Sequence, residues 1–434
     1  MREVLNSKND LLFYQSPKKI KMKYLLFHIL FVLFPAFVLY GQDISEKTLP
    51  TWEEGYLDIH HINTGRGNST FLVLPDGTTM LIDAGDNNRV DERAVSSKPD
   101  STITAAECIV NYIKHFMPVK HGKYIDYCLI THFHSDHLGA VFERKVSNKN
   151  YYLTGITEVH QLLPIRKIVD RGYQYMCPGE TNETFLNYKR FIDYISLNDR
   201  TKVEPFDVGT FRQFSLIYLP DEYDTQFNIQ NIYANGQLWI GNKKKYLFPE
   251  LETLKKDFFP RENMLSCVIK MTYGNFAYYT GGDIPGFPKV GMPTWHDVES
   301  AVAQEVGHVE VAVLNHHGYE DTTNETFISS LSPQVFVVQT WNAAHLNHAV
   351  LNRILSKRLY PYNRDVFVTN VHPAAKIVTG NLINKLKSTQ GHVLIRVEEG
   401  GKRYWVYVLD DSKFGDYKLL SKSGPYECIR NEQH

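Results

Sequence analysis

Cysteine is scarce in this chain, five in 434 residues: Cys108, Cys128, Cys177, Cys267 and Cys428. They are scattered and odd in number, which excludes a recognisable disulfide framework or a cysteine-based zinc module. Cys128 and Cys267 fall in strand-like runs and read as small buried hydrophobes. Net charge is equally slight, -1 from 47 Lys+Arg and 48 Asp+Glu. No global field favours a polyanion, so nucleic acid is not the expected partner. The apolar residues 24–40 are short for a membrane span, nothing else in the chain is long and apolar enough to cross a bilayer, and no internal repeat is present. The remaining balance, 43% hydrophobic and 22% charged, suits one large globular domain with a sizeable core. Aromatics are plentiful at 13%. They read chiefly as core and rim, with a stacking platform for a sugar or base as the alternative.

The N-terminus reads as an address. Lys18-Lys19-Ile20-Lys21-Met22-Lys23 precedes the apolar residues 24–40 and then Gly41-Gln42-Asp43. A basic region, an apolar stretch and a small residue at a cleavage point form a secretory signal peptide over residues 1–41. The stretch is short for a span, contains Pro35 and lacks a basic flank after it, which argues against an anchor. Residues 1–21 resemble polar read-through, which makes Met22 an alternative start. The mature chain, 42–434, is expected to be exported to the periplasm or the extracellular space, with no membrane span after cleavage.

Thr131-His132-Phe133-His134-Ser135-Asp136-His137-Leu138-Gly139 constrains the chemistry most tightly. It follows the apolar run Tyr127-Cys128-Leu129-Ile130, which reads as a buried strand. A turn at that strand end aims three imidazoles and a carboxylate into one space. Those donors suit Zn, Mn or Fe, and neutral imidazoles have little reason to converge without a metal. This HxHxDH turn resembles that of the metallo-β-lactamase superfamily. Residues 61–85, with Gly65-Arg66-Gly67, Pro75-Asp76-Gly77 and Ile82-Asp83-Ala84-Gly85, resemble the opening hairpin of its ComEC-like branch. Thr280-Gly281-Gly282-Asp283 and Asn315-His316-His317-Gly318 resemble that branch's later motifs. The match runs in order from about residue 57 to about residue 410.

The resemblance implies an α/β fold, a four-layer αββα sandwich, over 42–434. The order of elements fits: strands near 57–62, 68–74 and 79–82, a helix over 103–116, a strand over 125–131, a hairpin over 264–280, a helix over 298–306, and strands near 309–314, 335–339, 393–397 and 405–409. Residues 141–262 look irregular, rich in Gly, Pro, Asn and Tyr, and read as an insertion over the metal site. Tyr173, Tyr175, Tyr233 and Trp239, interleaved with Arg166, Arg171 and Lys243, suit a wall that stacks a ring and holds an anion.

The resemblance also implies two divalent ions, Zn first and Mn or Fe as alternatives. His132 and His134 would hold the first ion, Asp136 and His137 the second, and Asp283 would bridge them. His316 is expected as the sixth ligand, with His317 behind it or on a phosphate, and Asp83 as the acceptor that orients the His turn. Asp136 also counts as a catalytic residue. Many superfamily members carry another histidine between the HxHxDH turn and the bridging aspartate. Only His160 lies in that interval, in a strand-like run, and it reads as a sheet histidine. His345, in Trp341-Asn342-Ala343-Ala344-His345, stands where the branch has Gly-His-Pro, with Ala344 and Leu346 in place of the flanking Gly and Pro. It is expected to contact a phosphoryl oxygen or act as a general acid.

The expected activity is that of an exported dinuclear hydrolase, a phosphodiesterase using a metal-bridging hydroxide on a small-molecule or cell-envelope substrate. The alternatives are hydrolysis of another ester or amide, including a β-lactam, and a non-catalytic binding protein on the same fold. Oligomeric state is not legible.

Overall fold

A computed structural model describes residues 48–87, 91–120, 123–142, 148–173 and 182–429. The signal-peptide reading, Tyr175 and Cys177 lie outside them. Among the described residues no helix is long and apolar enough to cross a membrane.

Among the described residues, seventeen strands form two sheets. The first nine in the chain are β1 (Leu57–His61), β2 (Thr70–Val73), β3 (Thr79–Ile82), β4 (Ile125–Ile130), β5 (Ile165–Asp170), β6 (Lys202–Pro205), β7 (Phe227–Ala234), β8 (Gln237–Ile240) and β9 (Lys243–Tyr246). They are followed by β10 (Val268–Tyr273), β11 (Phe276–Thr280), β12 (Val311–Val313), β13 (Val335–Val338), β14 (Asp365–Val368), β15 (His392–Val397), β16 (Arg403–Leu409) and β17 (Leu419–Glu427). One sheet runs β17-β16-β15-β1-β2-β3-β4-β5-β6 and the other β14-β13-β12-β11-β10-β7-β8-β9.

Side chains alternate across each strand, and this alternation builds the layers. Leu72, Met80, Ile82 and Leu129 of the first sheet share a core with Ile229, Ile269, Met271, Val311 and Val335 of the second. Their neighbours Phe71, Leu81, Cys128 and Ile130 face the other way, onto Ile109, Ile113, Ile156 and Phe191 of three helices. Ala312, Phe336, Val338 and Val366 likewise face Val302, Phe327 and Val350 on the far side of the second sheet. The result is a four-layer α/β/β/α sandwich, as expected. Each fully buried aliphatic side chain contributes about 1.5–3 kcal/mol. The helix Ala105–Phe116 starts where Thr104 and Glu107 satisfy each other's backbone N–H groups.

Two sequence expectations are corrected here. Residues 141–262 are not an irregular stretch: they supply β5 and β6 to the first sheet and β7, β8 and β9 to the second, with β7 hydrogen-bonded to β10. Their turn-rich composition reflects many short elements in succession. The Lys243-Lys244-Lys245 run is the exposed edge strand β9, where charge discourages further pairing. His160 lies on a helix, Gly155–Leu162, not on a strand, and its Nε2 is 3.2 Å from Asp199.

Candidate metal centre

β3, β4 and β5 run parallel, as do β11, β12 and β13. Parallel neighbours end on the same edge, and the loops there shape a crevice. Asp83 follows β3, the His turn follows β4, Asp283 follows β11, His316 and His317 follow β12, and His345 lies beyond β13. After β4 the chain turns through Thr131-His132-Phe133 into the single helical turn Ser135–Leu138. The glycines of the opening hairpin permit this packing. A Cβ on Gly85 would lie 1.9 Å from the Asp136 carbonyl oxygen, and one on Gly67 2.4 Å from it. Asn68 N–H donates to that same oxygen at 2.8 Å.

Asp83 braces the turn. Its Oδ1 accepts from Thr131 N–H at 2.8 Å, and its Oδ2 accepts from Thr131 Oγ1 at 2.8 Å and from His137 Nδ1 at 2.7 Å. Two other rings are tied in the same way: His316 Nδ1 donates to Asp321 Oδ1 at 2.7 Å and His317 Nδ1 to the Gln339 carbonyl at 2.9 Å. Carboxylate and carbonyl oxygens only accept, so each ring keeps its proton on Nδ1. The three Nε2 atoms therefore present lone pairs inward.

Those lone pairs meet carboxylates. His137 Nε2 lies 3.2 Å from Asp283 Oδ1, His317 Nε2 2.9 Å from Asp136 Oδ2, and His317 and His316 Nε2 lie 3.6 and 3.8 Å from Asp283 Oδ2. His132 Nε2 is 3.8 Å from that same oxygen and 3.2 Å from His134 Nδ1. His137 Nε2 and Asp283 Oδ1 are buried and have no hydrogen-bond partner despite their proximity. Acceptors facing acceptors in a dry site need a cation or a proton between them.

The titration of these groups reports the same need. Burial lowers His137, but the Asp283, Asp83 and Asp136 carboxylates overcome it and hold the ring well above its ordinary value. His316 is raised to about 9, burial again opposing and Asp283 and Asp321 prevailing. His132 goes well below its ordinary value, through burial and then the charge of His137. Burial raises Asp136 and Asp283, but facing histidines hold both below the usual carboxylate range.

Imidazole nitrogen and carboxylate oxygen are the donor set expected for a borderline transition metal, so the residues fit. Asp136, His137, Asp283 and His317 each offer one atom, all within 4.8 Å of one another. His132 and His316 approach Asp283 Oδ2 as well, and His134 Nδ1 lies against His132 Nε2. All eight sequence-selected positions, His132, His134, Asp136, His137, Asp283, His316, His317 and Asp83, are thus brought together. Both His316 and His317 approach the same Asp283 oxygen, at 3.8 and 3.6 Å, and of the two it is His317 that falls within the four-residue group.

His345 is 7% exposed and lies parallel to His317, with ring centroids 4.3 Å apart. Its Nδ1 accepts from Trp341 N–H at 3.3 Å, leaving the proton on Nε2. Burial, then the neighbouring His317, pushes the ring well below 6.5, which suits a neutral donor better than a proton-giving imidazolium. Trp341 Nε1 donates to Asp136 Oδ2 at 3.2 Å, a contact the sequence did not reveal.

A cavity of about 180 Å³ opens from His134 and His316. Its other walls come from residues 261–264, 285–296 and 319–321, so that of the stretch 141–262 Arg261 takes part, while Tyr173, Tyr233, Trp239, Arg166, Arg171 and Lys243 do not. Tyr173 stacks on Phe133, and the Tyr233 hydroxyl donates to the Met264 carbonyl. Arg166 lies over the Tyr124 ring. Arg171 is buried in a two-bond ion pair with Glu262.

No family model and no curated protein matches this chain. Among solved structures it is similar to a mutant of CmlA beta-hydroxylase, at 12% identity and a TM-score of 0.34. The match covers 81% of this chain, and the chain spans 55% of the length of that protein. The layers and strand order described above, rather than this likeness, define the fold.

Proposed function

We propose that the chain is an exported, dinuclear metal-dependent phosphodiesterase of the ComEC-like branch, with zinc as the resident metal. One observation carries the reading: both oxygens of the Asp283 carboxylate face nitrogen donors, Oδ1 facing His137 at 3.2 Å and Oδ2 facing His317, His132 and His316 at 3.6 to 3.8 Å. A carboxylate so placed offers one oxygen to each of two neighbouring cations. Two divalent ions held there would supply an activated water as nucleophile and would neutralise charge on the phosphoryl oxygens.

The chain's own groups do the rest. Asp83, Asp321 and the Gln339 carbonyl fix three Nδ1 protons and so aim three Nε2 lone pairs at the centre. The Trp341 indole keeps Asp136 oriented. The Nε2–H of His345 is a neutral donor suited to a phosphoryl oxygen. The signal-peptide pattern supports export of the mature chain.

The test is purified protein reconstituted with Zn or Mn. Elemental analysis should return two equivalents, and less than about one would overturn the dinuclear reading. A chromogenic panel of phosphodiesters, phosphomonoesters, phosphorylcholine and a β-lactam should show hydrolysis of diesters first. Turnover of the β-lactam or a carboxylic ester alone would replace the phosphodiesterase reading with the broader hydrolase one.

A further inference from the structure

The cavity beside His134 and His316 has a divided wall. Met264, Pro285, Phe287, Pro288 and Met292 make its apolar part. Phe287 is 38% exposed there, with the Arg353 guanidinium over its ring at 4.8 Å from the centroid. Arg261 and Lys289 line the same cavity and are solvent-exposed. Neither has an ion-pair partner among the described residues, whereas the acid nearby, Asp321, is already engaged by His316 Nδ1. The cavity's free charge is therefore positive, and it is carried by solvent-exposed side chains, whereas Met264 and Pro285 are buried.

A single phosphodiester charge would be met at the donor cluster itself. Two further cations at the rim answer a second negative group carried by the substrate. We infer that this cavity is a specificity pocket for an ester arm that is apolar or aromatic next to the phosphoryl group and ends in a second anion, a carboxylate or a phosphate. The inference rests on the phosphodiesterase reading for what is cleaved, but the pocket's preference is a binding property and is measured separately.

The experiment uses three non-hydrolysable probes and Zn-loaded protein, followed by calorimetry: phenylphosphonate, 4-carboxyphenylphosphonate and 1,4-phenylenediphosphonate. The proposal expects at least one of the two probes with a second anionic group to bind about tenfold more tightly than phenylphosphonate, and which of the two does so identifies the anion. In the double variant Arg261→Ala/Lys289→Ala that advantage should fall to within about twofold, with metal content retained. Phe287→Ser/Met292→Ser should weaken all three probes together, by about tenfold, through lost apolar contact. Equal affinity of the wild type for all three, or an advantage that survives the loss of both cations, would overturn the pocket. If the preference holds while no diester is ever hydrolysed, the phosphodiesterase reading falls and the pocket stands.

Discussion

Glu262 and Arg171 form the support most open to direct test. Arg171 Nε and Nη2 donate to Glu262 Oε1 and Oε2, both at 2.7 Å, with the side chains 1% and 4% exposed. Glu262 Oε1 also accepts the Phe133 N–H at 2.9 Å, and the Arg171 guanidinium lies 4.3 Å over the Phe133 ring. Phe133 sits between His132 and His134, so the pair grips the middle of the metal-binding turn from behind. Breaking a buried ion pair from one side costs about 3–5 kcal/mol, because a charge is left uncompensated. An orphaned backbone N–H costs about 1–3 kcal/mol, part of the same event rather than a separate sum. Glu262→Ala should therefore lose about 4 kcal/mol. Glu262→Gln, which keeps an acceptor for Phe133, should lose about half as much, the buried guanidinium still lacking its counter-charge. In the double variant Arg171→Met/Glu262→Met no charge is stranded, and the loss should shrink toward the cost of the N–H alone, about 1–3 kcal/mol.

Urea unfolding followed by circular dichroism, with chelator and with zinc, reads these differences from the midpoint and slope. A loosened turn should also cost about 10–100-fold in zinc affinity, measured by competition with a chromophoric chelator. A Glu262→Ala variant within about 1 kcal/mol of wild type, or a double variant less stable than Glu262→Ala, would refute this account.

Asp283→Ala should lose more metal by elemental analysis than any single histidine variant, because the carboxylate screens two neighbouring cations; retention equal to wild type would remove it from the bridge. His345→Ala should slow alkyl and p-nitrophenyl diesters by similar factors, as expected of a neutral donor to phosphate; a loss confined to alkyl esters would restore the general-acid role. His61 and His392 are buried and held neutral, each lowered to about 4, by burial first. The unfolded chain therefore binds more protons than the folded one between about pH 4 and 6.5, and stability falls as pH drops through that window. The slope should be about 1.4 kcal/mol per pH unit for each ring. His392→Gln should flatten the urea-midpoint profile by about one such increment, and an unchanged profile would contradict the assignment.

The layers and much of the cluster were legible because their signals are local. Apolar runs on either side of the Pro75-Asp76-Gly77 turn and over 127–130 give strands with two buried faces, and the HxHxDH spacing packs four donors into one turn. Asp283 and the two histidines were readable as strand-end motifs. What failed was nonlocal. Arg171 looks like an anion-holding surface residue until Glu262 is known to lie against it, and these two are far apart in sequence. The 141–262 segment looked loose because β5 to β9 are short and turn-separated, and their partners β4 and β10 lie outside it. Trp341 and Gln339 act on the site only through the return of β13 to the same edge. Asp321 was within reach, five residues after His316, but nothing local ties an acid at that spacing to a ring nitrogen.

The turn Asn315–Gly318 shows why adjacent histidines serve one carboxylate. Successive side chains diverge in extended or right-handed helical backbone. Here both His316 and His317 are left-handed, with φ of 47° and 56°, which brings their Nε2 atoms to 3.8 and 3.6 Å from Asp283 Oδ2. Two such residues that are not glycine cost about 1–3 kcal/mol each. The surroundings offset that cost. His316 N–H donates to the Gly282 carbonyl at 3.1 Å, tying the turn to the strand end that carries Asp283. Asn315 is held on both sides: its Oδ1 accepts from the Tyr279 hydroxyl at 3.0 Å, and its Nδ2 donates to Glu299 Oε1 at 2.8 Å. Glu299, fully buried, also accepts the Thr323 and Asn324 N–H groups at 2.9 Å, closing the far side of the loop. A backbone strained and then clamped in this way has its geometry set before any cation arrives. Such a turn is over-determined for a structural role alone, and its strain is what places two nitrogen donors on one oxygen.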